Sequence, residues 1–151
     1  MTQTLTKLWV HIIFSTKNRQ PFLDNPQIRG EMFAYPAEVT RDMNSPSTIV
    51  GGMEDHVHIL CLQHKNITLP DLVGKLKRTS SKWIKSKGRE YADFYWHSGY
   101  GAFSVSQSAV PDVKNYIANQ QEKHRDMSFQ EEFRLYLKRH GVVFDERYVW
   151  E

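Results

Sequence analysis

The sequence predicts a single α+β domain over residues 1–151, with the ferredoxin-like split βαβ arrangement. The first observation is the order of the predicted elements, which runs strand, helix, strand, strand, helix, strand and then further helices. The second is the length, which is enough for one domain with a hydrophobic core and contains no repeat or low-complexity tract. We therefore expect a four-stranded or larger antiparallel sheet with helices packed on one face, plus a C-terminal helix and tail.

The first strand is predicted at residues 8–14, an almost unbroken run of β-branched and aromatic residues that is typical of a central strand. A loop follows at residues 15–21. Asp24 or Asn25 then offers a capping side chain for the first helix. Pro36 lies inside the helical pattern of that segment, so we expect it to kink or split the helix.

A β-hairpin is predicted after this helix. A short strand at residues 48–50 leads into Gly51 and Gly52, which we expect in the turn, and an apolar strand begins at His56. Because strand side chains alternate between two faces, His56 and His58 point to the same side. Two imidazoles placed in this way can bind one divalent metal ion. On spacing alone, a pair of hydrogen-bonded structural histidines is the more common meaning of the pattern.

The second helix carries a concentration of positive charge. Thr68 and Asp71 mark its start, as an oxygen-bearing cap and a first-turn acid. Between residues 69 and 89, seven cations stand against one acid, whereas the whole chain has a net charge of +3. Like charges repel one another and a polyanion relieves the repulsion, so we favour nucleic-acid contact over a merely solvated face. The cations are Lys75, Lys77, Arg78, Lys82, Lys85, Lys87 and Arg89.

A fourth strand is predicted at residues 101–107, where side chains alternate in character. A helix that begins near Pro111 is expected to run to about Arg125. On it, Tyr116 and Gln120 are four residues apart and so share a face. Taken alone, this helix favours a tyrosine that packs in the core, because tyrosines at helical spacing usually do.

Aromatic residues are frequent in two further segments. Residues 91–100 could stack on unpaired bases, although core packing is the more common use of such a cluster. A capping box at Ser128 and Glu131 opens the last helix, which Gly141 ends. The tail at residues 142–150 is too aromatic for a disordered segment, so we expect it to pack on the body of the protein or on a partner subunit.

Composition excludes several classes of protein. Cys61 is the single cysteine and lies in an apolar strand, which excludes a disulfide framework and a cysteine-based zinc site. No segment approaches the length of a membrane-spanning run, and the polar residues 1–4 do not form a signal peptide, so we expect a cytoplasmic protein without a membrane partner. The pI of about 9.0 mildly favours an anionic partner.

In this order, the motifs resemble a known family. A histidine pair around a hydrophobic residue (the HUH motif, His56-Val57-His58), followed by Tyr116 with Gln120 four residues on, resembles the single-tyrosine HUH transposases of small bacterial insertion sequences, the IS200-like family. Domesticated relatives associated with repetitive extragenic palindromes (REPs) share the pattern. The resemblance runs from about residue 8 to about residue 125, and similar signatures occur at residues 9–17, 55–60 and 100–106.

The resemblance implies a site and a reaction. His56, His58 and Gln120 would ligate one divalent cation, Mg²⁺ or Mn²⁺, and Tyr116 would be the nucleophile. The products would be a 5′-phosphotyrosine link and a free 3′-hydroxyl, on single-stranded DNA cut near a hairpin. Such proteins work as homodimers, and the sequence leaves open whether Tyr116 completes the site of its own subunit or of its partner. Candidate contacts to the DNA backbone are Lys17, Arg19, Lys75, Arg78, Lys82 and Lys85.

Two other hypotheses fit parts of the sequence. A module that holds hairpin DNA or RNA without cutting it would bind in a salt-sensitive but metal-independent way. The complete set of His56, His58, Tyr116 and Gln120 argues against that alternative. A hydrolase for a small phosphoester could also use the two histidines. The lack of a carboxylate that clusters with them and the one-signed charge of the second helix both argue against it.

Overall fold

The four strands form one antiparallel sheet in the order β2-β3-β1-β4. The computed structural model describes residues 2–151, and Met1, the first residue of the predicted domain, lies outside them. The order of the elements along the chain and the order of the strands in the sheet are those of the ferredoxin-like arrangement, so the predicted fold class is confirmed. The strands are β1 (Leu8–Ser15), β2 (Ser47–Met53), β3 (His56–Gln63) and β4 (Gly101–Val105).

Helices cover both faces of this sheet. The two crossover helices pack on one face, as predicted, and the core there includes Ile12, Ile59 and Leu76. The helices that follow β4 cover the opposite face, where Ile13 packs with Phe103 and Phe133. The α-helices within residues 2–151 are α1 (Pro26–Asp42), α2 (Leu69–Lys85), α3 (Val110–Ala118), α4 (Gln120–Lys123) and α5 (Phe129–Arg139).

The register of β1 and β3 decides which residues face α3–α5. Ser15 lies opposite His56, and Ile13 lies opposite His58. Paired residues of antiparallel strands share a face, so both histidines lie under the second helical layer with Ile13 and Ser15. Both faces of β1 are buried, which explains why its sequence is almost continuously apolar.

Helix α1 begins as predicted but is not split. The Asn25 side chain accepts hydrogen bonds from the backbone N–H groups of Gln27 (2.9 Å) and Ile28 (3.2 Å). The helix then continues through Pro36 to Asp42, so of the predicted kink or split, the split does not occur. Pro36 lies on the buried stripe of the helix, where packing offsets the hydrogen bond that proline cannot donate.

The hairpin between β2 and β3 differs from the prediction. Strand β2 extends to Met53, so Gly51 and Gly52 belong to the strand, and the turn consists of residues 54 and 55. Gly51 lies opposite His58, and a Cβ atom there would lie 2.8 Å from the Ile117 carbonyl oxygen. The glycine is therefore required for close approach of α3 to the sheet rather than for a turn.

The predicted helix from Pro111 to Arg125 is interrupted at Asn119. This residue has φ −105° and ψ 27°, and it separates α3 from α4. Ile117, 1% exposed, anchors α3 on the sheet, and burial of such a side chain contributes about 1.5–3 kcal/mol. Tyr116 therefore lies near the end of α3, and Gln120 opens α4.

The C-terminal region folds back onto the body. The Ser128 hydroxyl accepts a hydrogen bond from the Glu131 N–H (3.2 Å), as the capping box predicts, and α5 ends shortly before Gly141, whose φ is 66°. Val149 and Trp150 of the tail pack against the α5 cluster, which confirms that the tail packs on the body. Within residues 2–151, no helix is both long and apolar enough to cross a membrane.

Candidate metal and nucleophile site

Both histidines of the HUH motif project from β3 into a buried cluster under α3–α5. His56 and His58 are both 0% exposed, and their ring centroids are 5.1 Å apart. An apolar strand loses packing when it carries two polar rings, so each ring nitrogen needs a partner. The partners come from the helices after β4, from the turn of the hairpin and from β1.

Tyr116 and Gln120 reach this cluster in the same chain. The Gln120 side-chain oxygen lies 2.8 Å from His56 Nε2. The Tyr116 ring lies edge-on to His58, with 5.9 Å between centroids, and its hydroxyl donates a hydrogen bond to Glu132. The four residues to which the resemblance gives chemical roles are therefore brought together, although a helix break separates Tyr116 from Gln120.

Glu132 of α5 lies at the centre of the cluster and is 1% exposed. Its Oε1 atom is 3.1 Å from His58 Nε2 and 3.5 Å from His56 Nε2. Its Oε2 atom accepts hydrogen bonds from the Gln120 amide (2.9 Å) and from the Tyr116 hydroxyl. The prediction that no carboxylate clusters with the histidines is therefore wrong, and only the one-signed charge of α2 still counts against a hydrolase.

One signal in the sequence could have identified Glu132. It occupies the apolar stripe of α5, three residues after Phe129, next to Phe133 and four residues before Tyr136. An acid on the buried stripe of an amphipathic helix needs hydrogen-bond donors or a cation around it.

Electrostatics favour an ionised Glu132 beside a protonated His124. Burial alone would raise the pKa of Glu132, but hydrogen bonds with His124 and His58 outweigh it and hold that pKa well below its usual range. Burial opposes charge on His124, yet the hydrogen bond to Glu132 raises its pKa above the usual value. The two groups are 3.0 Å apart, so each stabilises the charged form of the other.

His58 and His11 are favoured in their neutral forms. Burial lowers the pKa of His58, and the hydrogen bond with Glu132 opposes this only in part. Burial, and then the neighbouring His58, lower the pKa of His11 well below its usual value. Neutral imidazole is the form that binds a metal ion, so burial keeps His58 in the state a ligand needs.

Each ring of the HUH pair is oriented through its Nδ1 atom. His56 Nδ1 lies 2.7 Å from Asp55 Oδ1, and His58 Nδ1 lies 2.8 Å from His11 Nε2. The Asp55 carboxylate accepts the Nδ1 proton of His56, whereas the roles of His58 Nδ1 and His11 Nε2 depend on their tautomers. Both Nε2 atoms face Gln120 or Glu132, so a bound cation would take the place of a proton on each of them. Asp55 and His11 are thus further residues of the site.

The donor set fits one divalent cation. The donor atoms of His56, His58 and Glu132 all lie within 4.8 Å of one another. Six ligands at about 2.1 Å from a cation place neighbouring donor atoms about 3 Å apart, which is close to the separations of Glu132 Oε1 from the two rings. Imidazole nitrogens with amide and carboxylate oxygens suit Mn²⁺ and can hold Mg²⁺.

Tyr116 is protonated in this arrangement. Burial, the charge of Glu132 and the hydrogen bond to it all raise the pKa of the phenol well above its usual value. The phenol is partly buried, and Lys123 Nζ lies 5.5 Å from its ring centroid. The hydroxyl is therefore held at the cluster and still close to the surface.

The predicted DNA-contact cations lie outside this cluster. Lys75, Arg78 and Lys82 are exposed on α2, whereas Arg19 donates a hydrogen bond to the Trp150 carbonyl oxygen (3.2 Å). Lys77, counted among the seven cations of the polar face, instead turns inward. Its Nζ donates hydrogen bonds to the carbonyl oxygens of His97 (2.7 Å) and Gly99 (2.8 Å), and burial lowers its pKa to about 8.

The fold and this site define a ferredoxin-like α+β protein with a buried histidine pair and a carboxylate beside a tyrosine. Residues 4–120 match the family model described as "Transposase IS200 like". The chain belongs to the IS200-like transposase family, which confirms the resemblance inferred from the sequence. The match ends at Gln120, so His124 and Glu132 lie beyond it.

Solved structures share the fold. A crystal structure at 1.90 Å of a protein from Deinococcus radiodurans R1, provisionally assigned as a transposase, has a TM-score of 0.62 and 23% identity, with 80% of this chain and 95% of that chain covered. A REP-associated tyrosine transposase bound to a REP hairpin has a TM-score of 0.59 and 14% identity, with 84% and 74% covered. No curated protein matches the chain.

Proposed function

We propose that the protein is a metal-dependent DNA strand transferase of the HUH type, a single cytoplasmic domain over residues 1–151. Tyr116 is the nucleophile, and His56, His58 and Gln120 ligate one divalent cation, Mg²⁺ or Mn²⁺, together with Glu132. The observation that carries the proposal is the convergence of these side chains in one chain, with the Tyr116 hydroxyl bonded to the carboxylate that also touches the histidine pair.

The reaction follows from what each residue does. The Tyr116 oxygen attacks a DNA phosphorus, the bond from phosphorus to the 3′-oxygen breaks, and the phenol proton ends on the released 3′-hydroxyl. Glu132 accepts the hydrogen bond of the Tyr116 hydroxyl and so orients the nucleophile. His56 and His58, held by their own hydrogen bonds, mark where the cation and the DNA phosphate would bind. A bound divalent cation supplies positive charge that withdraws electrons from the phosphate and stabilises the departing oxygen. Because the phosphodiester energy is kept in the link to tyrosine, another 3′-hydroxyl can reverse the attack.

The proposed substrate is single-stranded DNA that carries a hairpin. One of the structural neighbours is a REP-associated transposase bound to a REP hairpin, and the segment from residue 69 to residue 89 supplies the charge for a polyanion. The homodimer implied by the resemblance is part of the proposal. The convergence of the site residues within one chain supports a site that Tyr116 of the same subunit completes. The proposed backbone contacts are Lys17, Arg19, Lys75, Arg78, Lys82 and Lys85.

Formation of a covalent adduct tests this function. A hairpin oligonucleotide labelled at its 3′ end is incubated with the protein and Mn²⁺ and analysed on a denaturing gel. The proposal predicts a protein band that carries the label and that disappears with EDTA. A binding module would retain the oligonucleotide without an adduct, and a hydrolase would cut it without an adduct.

The orientation of His56 by Asp55 leads to a prediction for metal binding. Asp55→Asn should weaken Mn²⁺ binding by about 10- to 100-fold, because a neutral amide holds the ring less firmly and makes its Nε2 less basic. Calorimetric titration measures the dissociation constant. Glu54→Gln, in the same turn, is the matched control and should leave binding unchanged. Equal affinity of Asp55→Asn and the parent would show that this contact does not support the metal site.

Two lysines of α2 should separate DNA contact from folding. Lys82→Ala should reduce the slope of log affinity against log salt concentration by about 0.7, the contribution of one phosphate contact to single-stranded DNA. Lys77→Met should leave that slope unchanged but lower the free energy of unfolding by about 1.5–3 kcal/mol, because two partly buried carbonyls lose a charged donor. Salt titrations and denaturant melts measure both quantities. A reduced slope for Lys77→Met would contradict the inward placement.

A further inference from the structure

Tyr95 is an exposed aromatic ring on a rigid support. Its side chain is 56% exposed, whereas the preceding Phe94 is fully buried. The ring of Trp96 packs edge-on against Phe94, with 4.8 Å between centroids. The Tyr95 carbonyl oxygen accepts a hydrogen bond from the Lys17 N–H (2.8 Å), which ties the segment to the loop after β1. Most of the aromatic cluster at residues 91–100 therefore packs inside, and this ring stays outside on a fixed backbone.

Two cations flank the Tyr95 ring. Lys85 Nζ lies 4.3 Å from the ring centroid, and Lys17 Nζ lies 6.0 Å from it. Among residues 2–151, neither ammonium group has a carboxylate within 4.0 Å. The positive charge around the ring is therefore not neutralised by the protein, and an anionic partner complements it.

The ring joins the two predicted sets of DNA contacts. Lys85 ends a stripe on α2 whose members, spaced by three and four residues, lie on one side of the helix: Lys75, Arg78, Lys82 and Lys85. Lys17 belongs to the loop after β1, and the neighbouring Thr16 N–H donates to the Asp55 carbonyl oxygen (2.8 Å). Asp55 orients His56, so the Tyr95 surface (Lys17, Lys85 and Tyr95) is connected to the edge of the candidate site.

We propose that the Tyr95 surface is a stacking platform for an unpaired base of single-stranded DNA beside the candidate site. The proposal rests on the proposed function, which supplies the DNA partner. An aromatic face stacks on any base, and lysines around it pair with the backbone, which is the usual combination in proteins that bind single strands. When the base stacks, it displaces one ammonium group from the ring, and that group then pairs with the adjacent phosphate.

Binding measurements without metal test the Tyr95 surface. Fluorescence anisotropy is recorded in EDTA with a hairpin oligonucleotide that carries a single-stranded flank. Tyr95→Ala should weaken binding about tenfold or more, and Tyr95→Phe should bind as the parent does, because stacking needs only the ring. A series of oligonucleotides, each with one abasic position, locates the stacked base. At one position the affinity of the parent should fall by about the same factor as the Tyr95→Ala substitution causes. The affinity of Tyr95→Ala should not fall further at that position.

The chain offers a matched control in Tyr148. This tyrosine is 59% exposed and also lies next to a cation, but that cation, Arg147, pairs with Asp145. Tyr148→Ala should leave binding unchanged within about twofold. The stacking proposal is overturned if Tyr95→Ala loses no more affinity than Tyr148→Ala. It is also overturned if every abasic position lowers the affinity of Tyr95→Ala by as much as it lowers the affinity of the parent.

Failure of this proposal is distinguishable from failure of the proposed function. A parent protein that forms the adduct but binds independently of Tyr95 overturns the platform alone. Tyr95-dependent binding without any adduct in Mn²⁺ overturns the strand transferase alone. A parent protein that does not bind the hairpin oligonucleotide at all overturns both.

Discussion

Tyr116→Phe should abolish the covalent adduct, with a loss of at least about 10³-fold in its rate of formation, because no other oxygen replaces the nucleophile. The change removes one oxygen and keeps the ring that packs beside His58 and Tyr136. Folding and hairpin binding should therefore persist. Single-turnover reactions with labelled hairpin DNA and Mn²⁺, stopped in denaturant, measure the rate.

Tyr35→Phe is the matched control for that experiment. Tyr35 lies on α1, on the face of the sheet opposite the candidate site, and its ring stacks on Trp83 with 5.5 Å between centroids. Tyr35→Phe should form the adduct at close to the parent rate. If Tyr116→Phe forms as much adduct as the parent, the assignment of the nucleophile is wrong. Cleavage without an adduct in that variant would indicate a hydrolase.

His58→Ala should remove metal-dependent chemistry. We expect the affinity for Mn²⁺ and the adduct yield to fall by at least about 100-fold, because a neutral nitrogen donor at the centre of the cluster is lost. The variant should also lose about 1–3 kcal/mol of stability, since the buried Glu132 carboxylate loses one hydrogen-bond donor while it keeps His124. Calorimetric titration, adduct assays and denaturant melts measure the three effects. His64 lies just after β3, and His64→Ala, the control, should show none of them.

Repeating His58→Ala in the Glu132→Gln variant separates an effect on metal binding from an effect on stability. Glu132→Gln removes the charge that His58 supports, so His58→Ala should cost less stability in this background than in the parent. Compared with Glu132→Gln alone, the double variant should still lose Mn²⁺ affinity and adduct. A folded double variant that binds Mn²⁺ as tightly as Glu132→Gln would show that His58 is not a ligand.

The local parts of the site could be predicted from the sequence. The common face of His56 and His58 follows from the two-residue period of a strand, and the structure confirms it. Helical spacing predicts that Tyr116 and Gln120 point to the same side. The helix breaks at Asn119, but both side chains still donate hydrogen bonds to the same carboxylate, that of Glu132. Such relations depend only on residues a few positions apart.

The non-local parts could not be predicted in this way. Glu132 meets residues of β3 that lie more than 70 positions earlier, and nothing in a strand period or a helix wheel places α5 over the sheet. Gly51 lies in β2 and not in the predicted turn, because a glycine is required there by the close approach of α3, which is again a tertiary contact. Lys77 shows the same limit, since its position on a basic helix does not reveal the two carbonyls that it binds.

Mapping of the DNA link by mass spectrometry tests the central claim most directly. The adduct formed in Mn²⁺ is digested with a protease and a nuclease, and the modified peptide is sequenced. The convergence of the histidine pair, Gln120 and the phenol predicts a nucleotide joined through its 5′-phosphate to Tyr116, and none when EDTA is present. A link on any other residue, a link through a 3′-phosphate, or the same link without metal would contradict it.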